Sequence, residues 1–378
     1  MKPRVVIFAE YYLPGFKAGG PVRSLSAFID AFKDQYEFIV ITRNHDFADS
    51  TPYAVTPNVP EKIEGTTIYY LTKDHQTISF YRQILLHLKP DVIYLNAFWN
   101  PRFVLFPILA TKFISFPCKI ILAPRGSLSP GALKIKALKK CLYFFLVKPF
   151  YKNITFHATA SSEKNDIQCL FPKATVQVAS NLFYSEQLEQ EKLSQKKTAQ
   201  LKVIYLSRIT PKKNLDGILR LLIAHHLPLQ LDIYGPLEDP IYWKTCQTLM
   251  AQLPSQVQVR YFGLVAPKDV GNIFAQYDLF LFLTHSENFG HVILEALASG
   301  CPVILSPYTP WNTLEKSGAG WCIDPQDFQK ISECLQQLLA MDHLQHQQLI
   351  NQAKAYVKDY LASSSQQQEI SALFNLPL

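Results

Sequence analysis

Apolar and polar positions follow two periods along this chain. In the first half, the runs RVVIFAE, EFIVIT, TIYYL, VIYLN, KIILAP and ITFHAT are short and rich in β-branched and aromatic residues, and read as buried strands. Between them, residues 23–32 and 79–88 repeat apolar side chains at helical spacing. This alternation predicts a parallel sheet covered by helices. A polar stretch over 185–200, SEQLEQEKLSQKKTAQ, carries no strand signal and is predicted to be a linker. The pattern then restarts with LKVIYLS, LQLDIYG, QVRYFG, DLFLFLT, CPVILS and WCID, and residues 327–374 read as helical. At 378 residues the chain is too long for one ordinary core. The expectation is an α/β protein of two doubly wound, Rossmann-like domains, over 1–184 and 201–355. Ligands of such sheets bind beyond the carboxyl ends of the strands.

One segment concentrates the chemistry: LFLFLTHSENFGHVILEALASGCPVIL, residues 279–305. A strand-like run leads through a polar loop into Phe289-Gly290 and a helix that Gly300 can end, with Pro302 forbidding its continuation. Glu287 lies in the loop and Glu295 inside the helix, eight positions on. A helix N-terminus offers unpaired N–H groups and partial positive charge to a phosphate, while carboxylates accept hydrogen bonds from sugar hydroxyls. Together they suggest a nucleotide-sugar site.

Three other turns carry candidate residues. In LSRITPKKNLDGIL, Arg208 closes a strand and Lys213 opens a helix, with Lys212 a rival; two such cations suit a growing diphosphate charge, although a solvated basic turn would look the same. In EYYLPGFKAGGPVRSLSAF, Gly19 and Gly20 permit close backbone approach and Pro21 suits a first helical position; a plain turn explains them equally well. In ILAPRGSLSPGAL, Arg125 follows the fifth strand-like run. An arginine cannot serve as a general base at neutral pH; the expectation is that it binds phosphate, either the donor's or a lipid-linked acceptor's. Gly235 and Gly263 follow two strands of the second half. His157 carries no assigned role.

The 279–305 segment resembles the E-x7-E signature of the retaining glycosyltransferases of family four, which have the two-domain GT-B fold. The resemblance implies Glu287 at the donated sugar and Glu295 at the nucleotide ribose. It also implies Gly290 with its neighbours Phe289 and His291 at the diphosphate. Arg208 and Lys213 match the family's R-x4-K element, and Gly19-Gly20 the glycine-rich loop after the first strand. Asn181 stands where relatives have an Asn near the domain junction, and with Gly235 and Gly263 echoing the family the resemblance implies the base around residues 234–236 and 262–264. Many relatives place a His where this chain has Arg125; with retention, the departing phosphate can take the acceptor's proton instead. In the resembled fold the last helix, here about 356–378, returns to the first domain, and the active site lies in the cleft between domains. No metal or other cofactor is implied.

Charge adds a partner. The formal net charge of +7 conceals a window, 92–162, with ten Lys and Arg residues and no Asp or Glu. Within it, GALKIKALKKCLYFFLVKPF mixes lysines with large apolar residues, so an anionic membrane surface contacting residues 112–152 competes with a plain solvated basic face. No nucleic-acid motif accompanies the charge. No run reaches the roughly 20 apolar residues of a membrane span, and the start resembles no signal peptide. Seven scattered cysteines without a C-x-x-C pair fit reduced thiols. A cytoplasmic glycosyltransferase, peripheral on the membrane's inner face, is therefore expected, using a UDP- or GDP-sugar and an envelope or lipid-linked glycan acceptor. A nucleotide-sugar 2-epimerase and an inactive sugar-nucleotide-binding module remain the alternatives.

Overall fold

The computed structural model describes residues 2–134, 137–183, 200–225, 227–363 and 365–374. The chain divides into two compact units, Met1–Leu182 with Ser365–Leu378, and Phe183–Ser364. Most of the predicted 185–200 linker lies outside the described residues.

The first unit runs β1 (Arg4–Phe8), α1 (Gly20–Phe32), β2 (Glu37–Arg43), β3 (Pro60–Ile63), β4 (Thr66–Leu71), α2 (Ile78–Leu88) and β5 (Val92–Leu95). It continues through α3 (Leu105–Ala110), β6 (Lys119–Leu122), α4 (Pro130–Lys134), α5 (Ala137–Val147), β7 (Thr155–Ala158), α6 (Ser161–Leu170) and β8 (Thr175–Val178). The sheet order is β3-β4-β2-β1-β5-β6-β7-β8, parallel except where β3 pairs antiparallel with β4. β1 and β5 are fully paired neighbours, so the crossovers leave the sheet in opposite directions at that pair. The sheet's inner strands are apolar on both faces because helices cover both. One core packs Val6, Phe8, Ile93 and Leu122 with α2, and another packs Val5, Ile7 and Val40 with α1. Helix α5 departs from this pattern. Leu138, Leu142, Phe145 and Leu146 are 60–86% exposed along one side of it, while Tyr143 on another side meets Trp99 at 5.8 Å.

The second unit runs β9 (Leu201–Leu206), α7 (Leu215–Ala224), β10 (Leu229–Tyr234), α8 (Pro240–Met250), β11 (Val257–Gly263), α9 (Val270–Phe274) and β12 (Leu279–Phe282). Then come α10 (His291–Ala298), β13 (Val303–Leu305), α11 (Leu314–Ser317), β14 (Gly320–Cys322), α12 (Phe328–Ala340) and α13 (His343–Ser363). Its six parallel strands lie in the order β11-β10-β9-β12-β13-β14. The chain therefore reverses direction between β9 and β12, the topological switch point where ligands of such sheets bind.

Helix α13 keeps to the second unit through Ser363, and the return to the first begins at Ser365, later than the expected position near 356. The returning helix α14 (Gln366–Phe374) buries Ile370, Leu373 and Phe374 in the α1 core, with Phe374 stacked on Phe28 at 5.2 Å. The Glu369 carboxylate accepts the Ser180 N–H at 2.9 Å. No described helix is long and apolar enough to cross a membrane.

Candidate functional site

The second unit's switch point is built by the turns after β9 and β12. Pro211 opens a short 3-10 turn over Pro211–Lys213, and Asn214 follows in the left-handed region at φ 57°. Asn214 Nδ2 donates to the Leu283 carbonyl at 2.8 Å, and the Lys212 carbonyl accepts the His285 N–H at 2.9 Å and the Thr284 hydroxyl at 3.0 Å. These bonds stitch the two turns together. The result is a direct pair: Lys213 Nζ donates to Glu287 Oε2 at 2.5 Å, with side-chain exposures of only 8% and 18%. The Lys213 ammonium also lies 5.2 Å from the centre of the Phe282 ring, a cation–π contact. Lys213, rather than its rival Lys212, faces Glu287.

Burial pushes the Glu287 carboxyl up, but the Lys213 ammonium, its hydrogen bond, Lys212 and the Asn288 N–H outweigh that, holding the group below the ordinary carboxylate value. Burial lowers the Lys212 ammonium, and the charges of Lys213 and Arg208 lower it further. Arg208 itself is drawn aside, pairing with Glu238 at 2.8 Å while half-exposed. Of the expected cations, Lys213 is therefore in contact with Glu287, and Arg208 is turned to Glu238.

Helix α10 begins beside this pair. Gly290 caps it at φ 81°, where a Cβ would lie 2.8 Å from Ile293 Cδ1 and 3.0 Å from Glu287 Cγ. Glycine thus lets the Glu287 side chain and the helix start share one place. The Phe289 ring is buried edge-on against Trp311 at 5.6 Å, and its carbonyl accepts the Trp311 indole N–H. His291 is buried as the first helical residue, and Glu295, one turn further, is partly exposed. At β10, Gly235 has φ 132°, and a Cβ there would collide with the Ser207 carbonyl at 1.8 Å. Tyr234 stacks on the half-exposed Phe262 at 4.9 Å, just before Gly263 at φ 77°.

Beneath that stack lies a network the sequence reading missed. Buried Asp232 accepts Arg260 Nε and Nη2 at 2.9 and 2.7 Å and the Tyr277 hydroxyl at 2.7 Å; Tyr277 in turn meets the Tyr234 hydroxyl at 3.0 Å. The available signal was an aspartate inside the apolar strand LQLDIYG. Among the described residues, no group of three or more His, Cys, Asp or Glu could hold a metal ion.

In the first unit, Gly19 caps α1 at φ 73° and Gly20 is its first residue. Arg125, just past β6, takes a left-handed φ of 56°, rare for a non-glycine, and Gly126 follows at 72°. Its Nε donates to Asn96 Oδ1 at 2.8 Å, its Nη2 to the Tyr94 hydroxyl at 2.9 Å, and its Nη1 to Asn181 Oδ1. The Tyr94 hydroxyl meets His157 Nδ1 at 2.7 Å, and His157 Nε2 meets the Ala179 carbonyl at 2.7 Å. A carbonyl only accepts, so Nε2 carries the proton and Nδ1 accepts from Tyr94. Burial, then the Arg125 charge, lower the His157 pKa to about 3. Buried Glu163 braces the same loop, accepting the Gly126 N–H at 2.5 Å and the Thr159 N–H and hydroxyl at 2.8 and 2.7 Å. Sequence reasoning left His157 unassigned and overlooked Glu163, which stands in an otherwise ordinary helix start.

Comparison with known proteins meets this geometry. The family model described as "Glycosyl transferases group 1" matches residues 186–356. Over 148 residues the chain is 30% identical to the O-antigen chain mannosyltransferase B of Escherichia coli, covering 37% of each chain. Over 202 residues it is 23% identical to the capsular polysaccharide biosynthesis glycosyltransferase CapM of Staphylococcus aureus, covering 51% of this chain and 52% of that one. The match thus spans about a third to a half of these relatives' lengths. In three dimensions the chain resembles Anabaena HepE, solved with UDP and glucose, at a TM-score of 0.72 and 17% identity over 99% of this chain and 100% of that one. The fold is accordingly GT-B.

Proposed function

We propose that this chain, whose residues 186–356 belong to the group 1 glycosyl transferases, moves a sugar from a nucleotide-sugar donor to an acceptor hydroxyl. The observation that carries the reading is the buried Lys213–Glu287 pair at the switch point, beside the glycine-capped start of α10. In this reading Glu287 accepts hydrogen bonds from the donated sugar's hydroxyls, and Glu295 from the ribose. Backbone N–H groups around Phe289, Gly290 and His291 receive the diphosphate. The Tyr234–Phe262 stack, with Gly235 and Gly263 opening the backbone, takes the base. A UDP-sugar is favoured over a GDP-sugar, HepE having been solved with UDP and glucose.

As the sugar–phosphate C–O bond breaks, negative charge grows on the leaving diphosphate. Lys213, with Arg208 further out, stabilises it without a metal ion. The acceptor oxygen bonds to the anomeric carbon and passes its proton to the departing diphosphate, so no general base is needed and Arg125 is free to bind an anion. Retention of configuration is carried over from the family resemblance. The chain works at the cytoplasmic face of a membrane, resting on the exposed side of α5. Its acceptor is an envelope or lipid-linked glycan, in keeping with the O-antigen and capsule relatives.

A thermal-shift panel of UDP-, GDP-, ADP- and dTDP-sugars tests the donor reading. A ligand at a hundred times its Kd stabilises by about 2.7 kcal/mol, which raises the melting temperature by a few degrees. At least one sugar is expected to do so in the wild type and to lose the effect in Glu287→Gln. A panel with no shift overturns the proposal.

A further inference from the structure

The first unit contains a cavity of about 1040 Å³ at its own switch point, lined from the turns after β1 and β5 and from the β6 turn that holds Arg125. Four basic side chains line it: Arg43, Lys73, Arg102 and Arg125. Glu10 is the one carboxylate lining it among the described residues, and it is engaged with Arg43 at 2.6 Å. Burial and then the Arg43 charge lower the pKa of lining His45, disfavouring its charged form. Among the described residues Arg102 Nη1 donates to neutral oxygens, the Lys73 carbonyl at 3.3 Å and Gln76 Oε1 at 3.5 Å. Even with buried Glu163 counted against Arg125, the wall remains net positive. Partly exposed Trp99 adds flat apolar surface to the same wall, backed by the buried Phe98 ring at 4.8 Å, and is held in place by its indole bond to the Ser127 carbonyl at 3.0 Å.

A neutral sugar gives such a wall nothing to neutralise. A bare anion leaves its aromatic part and most of its volume unused. We infer that the cavity takes the acceptor as a sugar residue bearing an anionic group, a carboxylate or a phosphate ester, with Arg102 and Lys73 receiving the anion. Trp99 meets the ring, and Arg125, immobilised by Asn96, Tyr94 and Asn181, contributes a further fixed cation. This rests on the glycosyl-transfer reading and names the acceptor class for it.

Ligand-observed NMR titration of the full chain with methyl glucuronide, glucose 6-phosphate and methyl glucoside tests the inference, with UDP titrated in parallel. At least one anionic probe is expected to bind about tenfold or more tighter than the glucoside. That preference should shrink in 0.5 M salt and vanish in Lys73→Gln/Arg102→Gln. The better of the two anionic probes separates uronate from phosphate ester. Equal binding of charged and neutral probes, no binding of any, or a preference that survives the double substitution overturns the inference while UDP binding keeps the donor reading intact. Loss of UDP and UDP-sugar binding in the wild type would instead strike at the parent reading.

Discussion

The Lys213 ammonium reaches the Glu287 carboxylate at 2.5 Å from the opposite side of the strand-order reversal, one contributed by the turn after β9 and the other by the turn after β12. Both side chains are largely buried, so each is the other's main compensation. Removing one partner strands a charge, at a cost of about 3–5 kcal/mol; removing both strands none. In urea denaturation, Lys213→Met is expected to destabilise by several kcal/mol. The Lys213→Met/Glu287→Gln double variant should recover a good part of that, and additive losses would show that the pair is not coupled.

The same pair sets an acid limit. Glu287 is held below the ordinary carboxylate value, so it binds protons less readily folded than unfolded. Its contribution is complete above the ordinary carboxylate range and disappears as pH falls through the lowered folded value. Relative to Glu287→Gln, the wild type should lose stability on acidification towards and below that range. Parallel stability–pH curves would contradict it.

Gly290 and Gly263 both have positive φ, but their surroundings differ. At Gly263 an added Cβ meets open space, so alanine should cost about 1 kcal/mol in backbone strain alone. At Gly290 it meets Glu287 Cγ and Ile293 Cδ1, so alanine should cost more and displace the carboxylate. The check is donor affinity: Gly290→Ala should raise the nucleotide-sugar Kd about tenfold or more through the diphosphate and Glu287 contacts. Unchanged affinity would separate Gly290 from the site.

What the sequence disclosed and what it hid follow from where each signal lives. The twelve strand-like runs all correspond to strands: ten are inner strands, apolar because helices cover both faces, and the edge strands β11 and β14 of the second sheet showed through their β-branched and aromatic residues. The two that escaped, β3 and β8, are the edge strands of the first sheet, where PEKI and TVQV face solvent and carry no such demand. Glu287, Lys213 and Gly290 were legible because their turns are local. Which lysine turns inward was not, since it depends on Asn214 reaching Leu283 across the reversal. The Arg125–Tyr94–His157 chain was invisible for the same reason, its members coming from three separate strands and the turns that follow them.

His157 provides a second pH test, of opposite chemistry. Its pKa falls to about 3 in the fold, against about 6.5 when exposed. The unfolded chain therefore binds the extra proton between those values, and stability should rise with pH across that window and level off above it. The full span is worth on the order of 3–5 kcal/mol. His157→Gln, which keeps a donor for the Ala179 carbonyl, should flatten that part of the profile. An unchanged slope between about pH 4 and 6 would mean that the ring is protonated in the fold after all.

Helix α5 gives the prediction that reaches furthest beyond the site. Leu138, Leu142, Phe145 and Leu146 recur at helical spacing and are 60–86% exposed. The helix lies in the 92–162 window, which has no acidic residue to repel an anionic surface. Full burial of each large apolar side chain is worth about 1.5–3 kcal/mol, and each lysine near an anionic leaflet about 1 kcal/mol. Partial insertion of four such side chains is enough for reversible docking, though not for permanent anchoring. The full chain should therefore co-sediment with phosphatidylglycerol-containing vesicles and only weakly with phosphatidylcholine ones. Leu142→Ser/Phe145→Ser should weaken that binding about tenfold or more at any salt concentration. Lys139→Gln, removing an exposed charge, should cost less and only at low salt. Binding indifferent to these substitutions excludes α5 as the contact. Should the serine variant instead change the oligomeric state in light scattering and leave vesicle binding intact, a second copy of the chain covers this face and the membrane reading falls.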